Sequence, residues 1–415
     1  MAKKLTSVLG IDIGSQKIKV AEVRAQGRDA VVTAIGIIDT PEGAVDHTGV
    51  YNPEAVGNAL KQVIAECGST VPNAVVSIAG QASVLVRTLE VPRMNPAELK
   101  EHMQWEINRN IPFAESTVVS DFKPLADEDP NSTNMDVVMA IAPQSAVDTI
   151  ISCVKKAGRT TAAIDVEPLS LARSVVQSYD DVYSGQTICV VDMGHKTTSI
   201  NIYRNGKLLM PRQIPVGGEM FTKAISDEFQ LSMSEAEVMK VRESEIPSTA
   251  IGGMTVSDPF GSATQSFQPY NPFTTEDAGA VPNPFAEELP SEPDAAPAPE
   301  PEPVSAPTAV AVAGNSRVYN AFAPVLEEFV AEVRRSIDYY RSRGGEVDRI
   351  VLAGGASKMR GLAAFLKSSL GLECDNYDPL RRLNITAKKI APGFLEEHRQ
   401  EFAVAVGNGL HVLFD

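Results

Sequence analysis

The sequence predicts an α/β protein built from two related lobes, and three segments support this prediction. Residues 10–20 combine an apolar strand carrying one aspartate, a glycine turn and a second, alternating strand. Residues 191–202 repeat this arrangement, with their aspartate 180 positions after the first. Residues 350–362 combine a strand of the buried type, a glycine pair and, at Ser357, the expected start of a helix.

The two predicted hairpins have the properties of an anion-binding site. A hairpin with a glycine turn presents backbone N–H groups at its tip, and these hold an anion without a side-chain charge. Two copies suggest two lobes that grip one polyphosphate from opposite sides. Because Asp-X-Gly turns are common, two unrelated hairpins are the alternative. Gly354 and Gly355 would let the flat face of a base or sugar lie against the backbone, unless they form an ordinary strand–turn–helix connection.

Composition and charge exclude several classes of protein. A chain of 415 residues is long for one core, so we expect two lobes or more. The formal net charge of −16 argues against a nucleic-acid partner, because phosphate contacts need clustered Lys and Arg. The cysteines lack the spacing of a zinc site and are typical of buried thiols in a reducing compartment. They occupy positions 67, 153, 189 and 374.

The sequence predicts a cytoplasmic protein. It contains no run of 18 apolar residues, so we expect no direct membrane insertion. The chain enters its first predicted strand almost at once, which leaves no room for the apolar region of a signal peptide.

Residues 246–312 differ in composition from the rest of the chain. Positions 246–310 contain no Lys, Arg or His, but nine acidic residues and thirteen prolines. Such a segment cannot bury enough apolar surface to offset its ordering entropy, so we predict a disordered acidic insert. Its Asp-Pro-Phe at 258–260 and its Asn-Pro-Phe at 271–273 and 283–285 are either short docking peptides or chance repeats in a Pro-rich linker.

Around this insert the chain is predicted to form α/β units. Residues 92–165 have strand–helix–strand–strand–helix content, with Asn95 and Pro96 as the cap and first turn of the helix. We interpret them as a small subdomain inserted after the first sheet. Apolar spacing predicts an amphipathic helix over 318–342 and a last helix over 402–410 that closes on the first lobe.

In this order, the two hairpins and the glycine pair resemble the phosphate-1, phosphate-2 and adenosine motifs of the actin/Hsp70/hexokinase superfamily. Further segments resemble the PilM family, the cytoplasmic, actin-like proteins of type IV pilus and related secretion machines. They lie at residues 91–99, 105–113, 165–173, 334–340 and 354–362. The resemblance covers nearly the whole chain outside the insert.

The resemblance implies an actin-like, duplicated fold of two ribonuclease-H-like halves, with an extra subdomain 1C placed as in the cell-division protein FtsA. The implied division of the chain is subdomain 1A at 1–91, 1C at 92–165, an inter-lobe connection at 166–186, 2A at 187–218 and 346–392, 2B with the insert at 219–345, and a C-terminal helix returning to 1A at 393–415.

The resemblance also implies a cleft that binds ATP and Mg²⁺. Asp12 and Asp192 would face the metal through water, because Mg²⁺ keeps much of its hydration shell. Lys19 would neutralise phosphate charge, although it could instead be a solvated lysine on a strand face. The implied nucleotide contacts are Gly14, Ser15, Gln16, Gly194, His195 and Lys196 at the phosphates, Gly217 and Gly218 near phosphate and ribose, and Gly354, Gly355, Ser357, Met359, Arg335 and Ser336 around adenosine.

Hydrolysis would require a polar residue that orients the attacking water. Glu167 is the candidate, although the adjacent Pro168 could make it structural. His195, at the second hairpin tip, is either a pocket-lining donor or an exposed residue, and we favour exposure. We therefore expect at most a slow ATPase, in which bound ATP acts as structural glue or a switch.

The family resemblance implies a partner at the membrane. PilM-type proteins dock the N-terminal cytoplasmic peptide of the membrane protein PilN, which would recruit this chain to the inner face of the cytoplasmic membrane. The docking groove of these proteins lies between subdomains 1A and 1C, and its expected walls here are the strand at Val84–Val91 and the helix at Glu98–Arg109. Pilus motor or platform components and a second copy of the chain are further expected partners.

Two other functions stay open. An FtsA-like, filament-forming division protein would carry a basic amphipathic membrane helix at its end, whereas residues 410–415 have no basic face. A sugar or acid kinase of the same superfamily would need a catalytic carboxylate at the cleft. In the inserted subdomain only Asp121 and Asp136 are candidates, and they form no clear constellation.

Overall fold

The computed structural model describes residues 5–27, 29–114, 117–125, 131–248 and 316–414. The strands are β1 (Ser7–Ile13), β2 (Lys17–Gln26), β3 (Asp29–Asp39), β4 (Asn73–Ile78), β5 (Leu85–Pro92), β6 (Val118–Pro124), β7 (Asn134–Pro143), β8 (Thr160–Val166), β9 (Thr187–Met193), β10 (Thr198–Arg204), β11 (Lys207–Ile214), β12 (Arg349–Ala353), β13 (Glu373–Asn376) and β14 (Asn384–Ile385). The helices are α1 (Pro53–Cys67), α2 (Pro96–Asn110), α3 (Gln144–Lys156), α4 (Glu167–Tyr183), α5 (Gly218–Phe229), α6 (Met233–Glu243), α7 (Ser316–Ser342), α8 (Leu362–Leu370), α9 (Phe394–His398), α10 (Ala403–Gly409) and α11 (His411–Phe414).

Two large sheets repeat one topology. The first has the strand order β14-β3-β2-β1-β4-β8, and the second has the order β11-β10-β9-β12-β13. In each sheet an antiparallel three-stranded meander, β1–β2–β3 or β9–β10–β11, is extended by a parallel strand beside its first member. Asp12 lies at the end of β1 and Asp192 at the end of β9, each just before a hairpin turn. The predicted duplicated, two-lobed α/β fold is confirmed.

The last helices complete the first lobe. α10 packs on β1, β2 and α4, and its Val406 joins the core of the first sheet. The crossing is close, because a Cβ atom at Gly10 would overlap the α10 backbone at Ala405. The Asn408 amide donates a hydrogen bond to the Ile11 carbonyl at 2.8 Å. This helix therefore contacts the strand that carries the first aspartate.

A small three-stranded sheet, β5-β7-β6, stands beside the first lobe. Its helix α2 begins with the predicted cap, in which Asn95 and Glu98 bond reciprocally to each other's backbone. The limits of this unit differ from the predicted range 92–165. The first strand starts at Leu85, and β8 hydrogen-bonds to the edge of β4 in the first sheet. The exact extent of subdomain 1C stays a prediction.

The two elements expected to form walls of the docking groove, the strand at Val84–Val91 and the helix at Glu98–Arg109, both belong to this small unit. α2 lies directly on the small sheet, and the two bury one shared core. Met103 and Ile107 of the helix are enclosed there with Val91 of β5. Because apolar side chains fill this interface, a docked peptide would contact the outer surface of the unit, and the groove between subdomains 1A and 1C stays a prediction.

The second lobe has its own core, formed by the second sheet with α5, α7 and α8. α7 confirms the long helix predicted over 318–342. Ile246, predicted as the start of the insert, belongs to this core instead, because its side chain is buried and its N–H bonds to the Arg360 carbonyl. The remainder of the predicted insert from residue 249 to 312 lies outside the described residues. Within the described ranges, every helix is too short or too polar to cross a membrane.

Candidate functional site

A cavity of about 450 Å³ lies between the two lobes, within the size range of ligand pockets. Both hairpins, the start of α4 and the glycine turn after β12 contribute to its walls. Among its lining residues are fourteen that the sequence predicted: Asp12, Gly14, Ser15, Gln16, Lys19, Glu167, Asp192, Gly194, His195, Lys196, Gly218, Gly354, Gly355 and Met359. Segments far apart in sequence thus meet around one space.

The first hairpin holds a half-buried ion pair at its base. Asp12 and Lys19 are register partners on β1 and β2, and Lys19 Nζ lies 2.9 Å from Asp12 Oδ2. Burial opposes the charge of Lys19, but the attraction of Asp12, helped by Glu401 and Asp192, outweighs it and raises the pKa of Lys19. The lysine is therefore a permanent cation facing the cavity. The alternative of a solvated strand-face lysine is wrong.

The turn glycines of the hairpins do not offer their amides to a ligand. The Gly14 N–H donates to the Lys17 carbonyl at 3.1 Å, and the Gly194 N–H donates to the Thr197 carbonyl at 3.0 Å. Both bonds close the turn. Within the described residues, the amides of Ser15 and Gln16 and those of His195 and Lys196 have no hydrogen-bond acceptor. These are the donors that each tip presents to the cavity.

Gly217 and Gly218 support the second tip from behind. The Gly218 N–H donates to the Gly194 carbonyl at 2.9 Å, and the Glu219 N–H donates to the His195 carbonyl at 2.8 Å. A Cβ atom at Gly217 would overlap the His195 backbone, so only glycine fits there. Gly218 also lines the cavity, whereas Gly217 does not.

At the bases of the two hairpins, the carboxyl groups of Asp12, Glu167 and Asp192 surround a single lysine, Lys19. Glu167 and Asp192 are half-buried, and Ser199 Oγ donates to Glu167 Oε1 at 2.6 Å. Burial raises the pKa of Glu167, and the charge of Asp12 adds to the rise. Burial, followed by the charges of Glu167 and Asp12, raises the pKa of Asp192 in the same way. The site therefore has an excess of negative charge that a cation would relieve.

The arrangement fits a magnesium ion that arrives hydrated with a ligand. Asp12 and Asp192 approach one cavity from opposite lobes. The described part of the chain contains no cluster of three or more His, Cys, Asp or Glu that would form a complete ligand set. Mg²⁺ is commonly held by one or two carboxylates, with waters and phosphate oxygens supplying the other ligands. The residues present are suited to that mode of binding.

The glycine turn after β12 packs against the second aspartate. Gly354 has φ +86°, a backbone conformation that favours glycine. A Cβ atom there would also overlap the Asp192 carboxylate, so the packing requires glycine as well. Ser357 is buried, and its Oγ donates to the Gly354 carbonyl at 2.7 Å. Ser357 therefore holds the turn rather than lining the cavity. The helix expected at Ser357 begins only at Leu362, after a short 3₁₀ turn.

The predicted contacts at Arg335 and Ser336 are wrong, because neither residue lines the cavity. Both lie on α7. The Arg335 guanidinium pairs with Glu332 at the surface, and Ser336 is buried and accepts a hydrogen bond from Arg212. The helical spacing of apolar residues predicted the helix correctly, but it could not show which side of the helix faces the cavity.

His195 also differs from expectation. Its side chain is only 18% exposed and lines the cavity, 3.6 Å from the Glu219 carboxylate. Burial lowers the pKa of His195, and Lys240 lowers it further, whereas Glu219 opposes this change. At neutral pH the ring is therefore uncharged, and it is a lining residue rather than an exposed one.

The cavity is also lined by two groups of residues that the sequence did not suggest. Lys240 Nζ is buried and donates to the Gly218 carbonyl at 3.0 Å and to Glu237 Oε2 at 2.7 Å. Burial lowers the pKa of Lys240, and Glu237 offsets part of that change. Their i, i+3 spacing on α6 was a weak signal that could have identified them.

The second missed group joins the glycine turn to the C-terminal segment. Lys358 Nζ lies 2.6 Å from Glu401 Oε1, and His398 Nδ1 lies 2.9 Å from the same oxygen. Burial opposes the charge of Glu401, but the bonds from His398 and Lys358 outweigh it and lower its pKa to about 2. Nothing local in the sequence marks these residues, because the contact forms only in the folded chain.

Comparison with known protein families shows to which family the chain belongs. The family model described as type IV pilus assembly protein PilM matches residues 10–265. The chain belongs to the PilM family. A second model, cell division protein FtsA, matches residues 189–407, so this PilM-family chain also has the relationship to FtsA that its sequence suggested.

Curated relatives of this PilM-family chain include the cell division proteins FtsA of Pseudomonas aeruginosa and Neisseria meningitidis serogroup B. The first is 28% identical over 261 residues, which are 57% of this chain and 60% of that protein. The second is 24% identical over 251 residues, which are 56% of this chain and 60% of that protein. The chain thus spans about 60% of the length of these relatives.

Solved structures agree on the fold. A structure described as the PilM-PilN type IV pilus biogenesis complex matches with a TM-score of 0.74 at 24% identity, covering 99% of both chains. The ethanolamine utilization protein EutJ of Carboxydothermus hydrogenoformans matches with a TM-score of 0.51 at 13% identity, covering 100% of this chain and 92% of that one. The PilM-family chain therefore has the actin-like fold that its sequence predicted.

Proposed function

We propose that the chain is an ATP-binding, actin-like adaptor of type IV pilus assembly. It docks the N-terminal tail of a PilN-like inner-membrane protein and links that protein to the pilus motor. The observation that supports this proposal best is the cavity between the two hairpins, where free tip amides, Lys19 and the glycine turn face one space. Family membership supports the role in pilus assembly.

The hairpin tips would hold the phosphates. The amides of Ser15 and Gln16 would donate from the first lobe, and those of His195 and Lys196 from the second. Backbone amides aimed at one point bind an anion without desolvating a side-chain charge. Lys19 would offset the phosphate charge from inside the cleft.

The adenosine end would lie between α6 and the glycine turn. Gly354 and Gly355 offer a flat backbone surface, with Met359 beside them in the cavity wall. On the facing side, the Lys240 ammonium donates a hydrogen bond to the Glu237 carboxylate. These two groups would form hydrogen bonds with the ribose hydroxyls. This part of the site replaces the predicted contacts at Arg335 and Ser336.

Hydrolysis at this site would be slow. A bound Mg²⁺ would neutralise phosphate charge, with Asp12 and Asp192 accepting hydrogen bonds from its waters. Glu167, held by Ser199, would orient a water toward the terminal phosphate. Burial favours the protonated acid of Glu167, which weakens it as an acceptor of protons from water. Bound ATP would therefore act mainly as a structural ligand, and at a thousand times its dissociation constant it would stabilise the folded state by about 4 kcal/mol.

Two substitutions test the nucleotide site. Asp12→Ala and Gly355→Val should each abolish binding of a fluorescent ATP analogue in the presence of Mg²⁺. At Gly355 a Cβ atom would meet Glu401 at an ordinary 3.5 Å, so this variant should fold and simply fill the cavity. Arg335→Ala, outside the cavity, is the matched control and should bind normally. Normal ATP binding by both site variants would disprove the nucleotide site.

The second candidate function is an FtsA-like, filament-forming division protein, favoured by the FtsA match over residues 189–407. Sedimentation with lipid vesicles and ATP separates the two. The adaptor should stay in the supernatant unless vesicles carry the PilN-like protein, whereas an FtsA-like protein should sediment alone. The kinase alternative has less support, because Asp121 and Asp136 do not line the cavity, and Asp136 pairs with Lys207.

A further inference from the structure

A buried hydrogen-bond network lies behind the first hairpin, between the C-terminal helix α10 and the start of α4. Its centre is Asn408, whose side chain is fully buried and does not line the cavity. The Asn408 Nδ2 group donates to the Ile11 carbonyl at 2.8 Å. Its Oδ1 accepts hydrogen bonds from Ser77 Oγ at 2.9 Å and from Ser170 Oγ at 2.6 Å. One side chain therefore bonds to three separate elements of the first lobe.

The network lies just beyond the last ladder pair of two neighbouring strands. The parallel ladder between β1 and β4 ends at the pair Ile11–Val76, and the next residues, Asp12 and Ser77, both line the cavity. Beyond that pair the ladder no longer fixes how the two strand ends lie relative to each other. The Asn408 side chain takes over this role, because it bonds to Ile11 on β1 and to Ser77 on β4.

The third partner, Ser170, connects the network to Glu167. Glu167 is the first residue of α4, and Ser170 follows it one helical turn later. Ser170 is fully buried, and a Cβ atom at Gly407 of α10 would overlap its backbone carbonyl. The two helices are therefore in close contact at this point. Through Ser170, α10 is bonded to the helix turn that begins with Glu167.

The chemistry of the amide suits this position. Asn408 meets a carbonyl that can only accept and two hydroxyls that donate, so its short side chain must supply both a donor and an acceptor. A buried network in which every member has a partner holds its atoms in one arrangement. The network is therefore suited to fix the position of the groups attached to it.

We propose that Asn408 is a positioning residue of the nucleotide site, which fixes the carboxylates of Asp12 and Glu167 relative to each other. This inference rests on the proposed function, in which Asp12 accepts hydrogen bonds from the waters of a bound Mg²⁺ and Glu167 orients a water. Such hydrogen bonds depend on position, because they are lost when the carboxylate oxygen moves by about 1 Å. Asn408 touches no ligand and acts only through the two carboxylates.

This role makes the C-terminal helix part of the nucleotide site. The bond from Asn408 to Ile11 spans 397 positions of the sequence. If the docking of α10 favours the binding of Mg²⁺ with ATP, then that binding stabilises the docking of α10 by the same factor.

ATP binding with and without Mg²⁺ tests this role in the full chain. Isothermal titration calorimetry gives the ATP affinity of each variant in Mg²⁺ and in EDTA, and the ratio of the two affinities is the effect of the metal. In Asn408→Ala this ratio should fall about fivefold, a factor that corresponds to the net value of one hydrogen bond, because Asp12 is no longer held in place. The affinity in EDTA should stay close to that of the wild type, because the tip amides that would hold the phosphates are unchanged.

Ser174→Ala is the matched control. Ser174 is as buried as Asn408, lies on α4 one turn after Ser170, and its Oγ is 2.7 Å from the hydroxyl of Tyr377, outside the cavity. The substitution removes a buried hydrogen bond from the same helix, so thermal stability should fall while the effect of the metal stays at the wild-type value. Thermal unfolding shows that each variant is folded before its affinity is measured.

Hydrogen exchange of the wild type provides a second measurement that needs no substitution. Adding Mg²⁺ to the ATP-bound protein should slow the exchange of the backbone amides of α10.

Three results would overturn the positioning role while the proposed function stands. They are a metal effect in Asn408→Ala equal to that of the wild type, an equal fall in Ser174→Ala, and exchange at α10 that Mg²⁺ does not change. A wild type that binds ATP equally well with and without Mg²⁺ would overturn the proposed metal site and this role with it. A wild type that binds no ATP would overturn the proposed function itself.

Discussion

The two hairpins have the same backbone geometry but differ in the charge of the residue that faces their aspartate. In both, the turn glycine donates to the residue three positions on, at 3.1 Å from Gly14 and 3.0 Å from Gly194. The register partners of the two aspartates differ, because Asp12 faces Lys19 whereas Asp192 faces Ser199. The first aspartate therefore has its own cation, and the second has a hydroxyl that donates to Glu167 instead.

This difference shows which features of a duplicated fold are kept in both halves and which can diverge. The backbone geometry that presents tip amides is kept in both halves, because it depends on glycine and on the turn. The side chains at the hairpin bases are free to diverge, and here one base holds the Asp12–Lys19 ion pair whereas the other holds a hydroxyl that bonds to Glu167.

The largest expected effect is a difference in stability between alanine variants of the two aspartates, measured in the nucleotide-free protein. Asp12→Ala leaves the half-buried Lys19 without its ion-pair partner, which should cost about 2 kcal/mol of unfolding free energy. Asp192→Ala removes a carboxylate that lacks such a partner, so stability should be unchanged or higher. Urea unfolding in EDTA measures both variants. An equal loss of stability in the two would show that the charge asymmetry is unimportant.

The second effect is a pH dependence caused by the second hairpin. Burial, followed by the charges of Glu167 and Asp12, raises the pKa of Asp192 to about 8. A carboxyl group with a raised pKa binds its proton more tightly in the folded state, so its contribution is complete below the unfolded pKa and is lost as pH rises toward 8. Thermal unfolding without nucleotide should show stability falling between pH 5 and pH 8, by no more than about 1.4 kcal/mol per pH unit for this proton.

Asp192→Asn is the control for this pH dependence. The amide does not titrate, so the fall in stability over this range should become shallower. An unchanged slope would assign the pH dependence to other groups.

A smaller effect concerns the hydroxyl at the base of the second hairpin. Ser199→Ala removes the hydrogen bond to Glu167, worth about 1 kcal/mol, and should slow any ATP turnover about fivefold with unchanged ATP affinity. Glu167→Gln should reduce turnover to background. Single-turnover assays with labelled ATP measure both. Turnover above background that survives Glu167→Gln would exclude this carboxylate from catalysis.

The smallest effect concerns the tip side chains. His195→Ala keeps the backbone amide and should change ATP affinity less than about threefold, because the phosphate would contact the amide rather than the ring. His195→Pro removes the N–H and should weaken binding by more than tenfold. Isothermal titration calorimetry with both variants distinguishes the backbone from the side chain. A large loss in His195→Ala would assign binding to the imidazole.

Local features of the sequence were enough to predict the duplicated hairpins. Each hairpin lies within one short segment, and its glycine marks the turn, so the pairing of Asp12 with Lys19 follows from strand alternation. The pair of Lys358 with Glu401 could not be found in this way, because the two residues come from distant segments of the chain. Arg335 was misplaced because the period of a helix gives its apolar face but not its position in the fold.

The small unit could be predicted only in part. The sequence identified β5 and α2 correctly, but it could not show that α2 packs directly on the small sheet, because that contact depends on how β5, β6 and β7 pair.

The fit of α10 against β1 has a consequence for biosynthesis. The first lobe begins with the strands made first, yet its core is closed by Val406 and its neighbours, almost four hundred residues later. Contacts so distant in sequence slow folding, and domains normally fold as they emerge from the ribosome. Here the N-terminal half must wait, partly open, until synthesis is nearly finished. The nascent chain should therefore depend on chaperones more than its compact lobes would suggest.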